Sequence, residues 1–164
     1  MTDELFTVEL KGFQEFFAAL QNSPSICADV SQKIMKRMTL MAKGTAQENA
    51  PVDKGILRSS LTDQVQGSRL DTVGRVGTTI SYATFQELGT GIYGPKGEPI
   101  RPVNRKFLQF QTKDGKWIRA REVKGTPAKG YLQKGLAEVM NKLGDIKTFG
   151  GNLLVQQLKQ AMKL

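Results

Sequence analysis

Three blocks decide how this chain reads: AQENAPVDKGILRSSL (46–61), SYATFQELGTG (81–91) and GTPAKGYLQKGL (125–136). In the first, Pro51 disfavours helical geometry at Ala50, so a helix entering the block stops there. Asp53-Lys54-Gly55 is turn chemistry, and Ile56–Leu61 has room for one helical turn before a strand. In the second, Ser81 is a candidate cap for a short helix through Leu88, and Gly89 stands in the glycine position that follows a helix. In the third, Pro127 and Lys129 precede a helix with Leu132, Leu136, Val139, Met140 and Leu143 on its apolar face.

Working outward, Leu5–Leu10 alternate as a short strand, and Phe13, Phe16, Phe17 and Leu20 follow at helical spacing. The longest helix then runs from about Pro24 towards Pro51, with Ile26, Val30, Ile34, Met38 and Met41 as its stripe. Leu61–Gln66 and Val73–Thr79 form a hairpin about Gly67–Asp71. Thr90–Lys106 carries three glycines and three prolines, an irregular arm of the length that usually serves a function. A second hairpin follows, Phe107–Gln111 and Lys116–Glu122 about Lys113-Asp114-Gly115, with Leu108 and Phe110 as its expected core-facing pair. A glycine-bearing break at Gly144, Gly150 and Gly151 separates a last helix. The fold class is α+β: a small, mostly antiparallel sheet against one long helix, with a Gly/Pro arm and a helical C-terminal extension. Residues 1–143 read as one domain that includes the arm and basic hairpin (90–124), and 144–164 as hinge and C-terminal helix.

Residue types exclude whole classes of chemistry. Among 164 residues there is no histidine and a single cysteine, Cys27. A Ser-His-Asp or Cys-His catalyst and a Cys/His zinc site therefore cannot be built. One cysteine also forbids an internal disulfide and fits a reducing compartment, with Cys27 read as a small buried apolar residue. Gly89-Thr90-Gly91-Ile92-Tyr93-Gly94 matches G-x-G-x-x-G, yet it follows a helix and runs into Pro95, where a dinucleotide site needs a strand before and a helix after. Glu48, Asp53, Asp63 and Glu87 are scattered, and Glu87 reads as a solvated helix acid. No catalytic, cofactor or metal residue is assigned, and no enzyme activity is expected. The acidic start MTDELF lacks a secretory pattern, and no apolar run reaches the roughly 20 residues of a membrane span.

Charge is the remaining signal. The formal charge is +9, and Lys96–Lys134 alone holds eleven basic and three acidic residues, which leaves 13 and 12 elsewhere. The excess is local and so faces something specific. The residues assigned to a partner or to DNA are Arg105, Lys106, Lys113, Lys116, Arg119, Arg121 and Lys124. Trp117 shares a strand face with Arg119 and Arg121, where it either stacks on bases or is a core aromatic under arginine stems; the second reading is preferred.

The segments A-P-V-D-x-G-x-L-R-x-S (50–60), Y-A-x-F-x-E-x-G-T-G (82–91) and G-x-P-A-x-x-Y-L (125–132), in that order, resemble the neck or tail-completion proteins of long-tailed bacteriophages, the minor tail protein Z-like group. The resemblance implies a structural virion protein, made in the host cytoplasm and acting without chemistry or cofactor. Its place would be the neck, as a ring between head connector and tail through which DNA passes. It implies contact with connector or stopper and with tail terminator or tube proteins, and six copies by analogy with the sixfold tail. The interface arm would include Thr90, Gly91, Tyr93, Pro95, Pro99, Arg101 and Pro102. A sequence-independent nucleic-acid-binding protein is the alternative. Catalysis by carboxylates and a metal is the least favoured.

Overall fold

A computed structural model describes residues 23–68, 71–112 and 114–162. The expected strand at Leu5–Leu10 and helix at Phe13–Leu20 lie outside them. The elements are α1 (Ser23–Asn49), α2 (Ile56–Ser59), β1 (Thr62–Ser68), β2 (Asp71–Gly77), α3 (Ala83–Leu88), a 3-10 turn (Gly91–Tyr93), β3 (Leu108–Gln111), β4 (Trp117–Ala120), α4 (Tyr131–Asn141) and α5 (Leu143–Ala161). The chain is α+β, and its strands form two separate two-stranded sheets, β1-β2 and β3-β4. Helix α1 ends at Asn49, two residues before Pro51, because a proline pushes the residue ahead of it out of helical geometry.

The described residues fall into two compact units, one of 23–38, 64–68, 71–74 and 142–162, the other drawn from 39–63 and 75–141. In the first, Val30 and Ile146 are buried, and Arg37 lies 4.5 Å above the ring of Phe149. Asp29 accepts from Lys33 at 2.7 Å and from the Gln157 amide, and the two bonds hold its carboxyl below the usual range. Helix α5 runs unbroken through Gly144, Gly150 and Gly151, so the expected glycine break is absent and the chain turns at Asn141–Lys142 instead. At Gly150 a Cβ would lie 2.5 Å from Ile34 Cδ1, so the glycine makes room for the end of a side chain that could also turn aside.

The second unit holds the tighter core. Ala46, Ala50, Leu57, Leu61, Ala83 and Tyr131 form one buried cluster, flanked by Ile80 and Leu132. Alanines on α1 let other elements come close, and Tyr131 fills the space with a fully buried ring. Gly135 extends the same logic, since a Cβ there would meet the Ala42 carbonyl oxygen at 2.4 Å. The buried line of α4 is therefore Tyr131, Gly135 and Val139 at i, i+4, i+8, while Leu136 and Met140 stand exposed. The Asp63 carboxylate takes a bond from Lys43 at 2.5 Å, tying β1 to α1 within this unit.

Candidate functional site

The second and third blocks, about forty residues apart in the chain, meet in the folded protein. Helix α4 opens at Tyr131 after Gly130, whose φ of 58° is left-handed, so no side chain at that position can cap the helix. Glu87 does so from α3: its carboxylate accepts from the Leu132 amide at 2.9 Å and the Gln133 amide at 3.0 Å. A negative charge at a helix start is also favoured by the helix dipole. The α3 backbone adds Lys129 N–H to the Gln86 carbonyl and Gly130 N–H to the Glu87 carbonyl. Tyr131 Oη reaches the Ala83 carbonyl at a long 3.5 Å. Glu87 is thus a buried structural acid and not a solvated one. In the sequence Gly130 offers no capping side chain before Tyr131, but that gap by itself does not point to Glu87.

The glycines of the G-x-G-x-x-G match serve a helix end and close backbone packing. Gly89 ends α3 with φ 78°, and Gly91 has φ 64°. A Cβ on Gly91 would lie 2.1 Å from the Lys124 carbonyl oxygen, and one on Gly125 would lie 2.1 Å from that of Thr90. Both glycines exist so that two backbones can touch. Thr90 N–H donates to the Thr126 carbonyl, and Ile92 N–H to the Lys124 carbonyl. Ser81, offered as a cap for α3, is not one: the helix begins after Tyr82 with no side-chain cap bond.

Of the arm residues, Thr90 and Gly91 are anchored to 124–126, while Tyr93 and Pro95 are exposed and Pro99 and Pro102 half-buried. Ile100 pairs with Val123, and Arg101 with Glu122 at 3.1 Å on the surface. Leu108 pairs with Ala120, so residues 101–107 leave the ladder and return, carrying Val103 at 95% exposure. Phe85, Leu88, Pro95, Pro99, Ile100 and Val103 help line a groove of about 630 Å³.

The basic hairpin is a two-stranded ribbon with Leu108↔Ala120, Gln109↔Arg119, Phe110↔Ile118 and Gln111↔Trp117 in register. Opposed residues share a face, so Gln109, Gln111, Trp117 and Arg119 lie on one side and Leu108, Phe110, Ile118 and Ala120 on the other. Leu108 is partly covered, but Phe110 is exposed, so the expected core pair is only half a pair. Trp117 is 66% exposed, which overturns its reading as a core aromatic. Arg105, Lys106, Lys116, Arg119, Arg121 and Lys124 are all exposed, and Lys113 lies outside the described residues.

Among the described residues no three acidic or thiol side chains gather into a metal-binding group, and no helix is long and apolar enough to cross a membrane. Compared with known families, residues 13–89 match the HK97-gp10-like family, described as "Bacteriophage HK97-gp10, putative tail-component". The matched segment takes in α1, the 50–60 block and α3 to its closing glycine, and leaves out the arm and the ribbon. No curated protein and no solved structure matches the chain.

Proposed function

From the match of residues 13–89 to a family of bacteriophage tail components, we propose that the chain is a neck protein that joins the filled head to the tail. It acts as a ring of copies between connector and tail, with six subunits as the number that suits a sixfold tail. Docking is its whole activity, and no bond in a partner is made or broken. The family match carries this reading. The surface supports it: Phe85, Leu88, Ile100 and Val103 are large apolar side chains left in water around one groove, a pattern that marks a surface normally covered. Head-to-tail repetition of such a contact closes into a ring when the rotation permits.

In this reading the arm from Thr90 to Lys106 reaches the neighbouring subunit, and the basic ribbon faces an acidic neck protein or the DNA in passage. Tyr93→Ser together with Val103→Asp tests the arm, since both side chains are exposed and the fold does not need them. Added to a lysate lacking the native protein, the double variant is expected to leave heads and tails unjoined while wild type restores joining. Full restoration by the variant would remove the arm from the interface.

A further inference from the structure

The ribbon face that carries Trp117 has a chemistry of its own. Its strand neighbour Arg119 and the cross-strand Gln109 flank the exposed indole. Gln111 is already engaged, donating to the Gly115 carbonyl at 2.8 Å, and so holds the turn beneath the ring. Neither β3 nor β4 contains an acidic residue; Asp114 stands in the turn between them, and Glu122, beyond β4, is paired with Arg101. The opposite face, with Leu108 and Ala120 half-covered, is the less exposed of the two. An exposed aromatic with an arginine two residues along the same strand face, turned outward on a two-stranded ribbon, is the kind of platform unpaired bases stack upon. Duplex phosphates would require the charges alone and give no reason for the indole.

We propose that the Trp117–Arg119 face of the β3–β4 ribbon is a binding site for single-stranded nucleic acid, with Trp117 stacking on a base and Arg119 meeting the adjoining phosphate. The site lies outside the segment that carries the tail-component match, so it stands or falls separately from the neck assignment.

Trp117 is the chain's one tryptophan, so intrinsic fluorescence of the full-length protein reports on this site alone. The probes are an oligothymidylate, a duplex of equal length, inorganic polyphosphate and polyglutamate, each titrated at low and at physiological salt. The expected result is quenching by the oligothymidylate with the tightest binding of the four. The variants lack the reporter indole, so their binding is read from the anisotropy of a labelled oligothymidylate and, for polyphosphate, by calorimetry. Trp117→Ala should weaken oligothymidylate binding about tenfold and leave polyphosphate affinity unchanged, whereas Trp117→Phe retains most of it. Because the ring is exposed, the alanine variant should fold, which far-UV circular dichroism checks. Equal binding of duplex or polyphosphate would reduce the site to a patch of charge and overturn the proposal. Tighter binding of polyglutamate would overturn it in favour of an acidic protein partner.

Discussion

Replacing Glu87 by alanine leaves the amides of Leu132 and Gln133 without an acceptor inside a partly buried helix start. The expected loss is about 2–4 kcal/mol, from two charge-assisted bonds and an uncapped helix. Glu87→Gln keeps one acceptor oxygen and should lose roughly half of that; denaturant unfolding measures both. Loss below about 0.5 kcal/mol in the alanine variant would mean the carboxylate is not the cap. Tyr131 gives a pH test. Burial, and then the nearby Glu87 charge, raise its hydroxyl above the ordinary 10.0. The unfolded chain therefore ionises first, so stability is complete below that value and falls as pH rises through the folded one. Tyr131→Phe should unfold at nearly the wild-type temperature at pH 8 and lose less stability than wild type as pH rises above 10. Parallel decline of both proteins would contradict the placement. None of this was legible in the sequence, where Glu87 is one acid on a short helix. What determines its role is a contact with residues about forty-five positions away, and a local pattern cannot carry that distance.

Helix boundaries, by contrast, were legible wherever the backbone itself sets them. Pro51 stops α1, Gly89 ends α3, and β1 and β2 stand close to where alternation put two strands. The failures share a cause: which face of an element is covered depends on what packs there. Alternation along β4 separates Trp117 from Ile118 but does not say which meets water. The glycines of α5 read as a break, yet one of them admits Ile34. Helix α4 shows the same ambiguity, with Val139 buried and its neighbours Leu136 and Met140 exposed. Val139→Ala should thus cost roughly 1–3 kcal/mol in the purified chain, and Leu136→Ser less than about 0.5. A reversed order would show that α4 is rotated from the position described. If Leu136→Ser folds normally but impairs phage assembly, α4 joins the groove as a covered surface in the virion.

At the scale of the whole molecule, residue types excluded histidine-based catalysts and Cys/His zinc sites, and surfaces indicated partners. With no histidine and one cysteine the chain lacks the usual catalytic and zinc-binding side chains, and its +9 charge is gathered around one ribbon and arm. The structure adds a core built on Tyr131, two motif blocks locked together by Glu87, and large apolar side chains left exposed about a groove. An interior that fixes such exposed surfaces fits the structural virion role that the tail-component match suggests. The most direct measurement is made in the phage itself, by electron microscopy and plaque titre of a lysate in which a nonsense allele silences this gene. Filled heads and finished tails lying separate, with infectivity restored when purified protein is added, is the predicted result. Complete, infectious particles assembled without the protein would contradict the account.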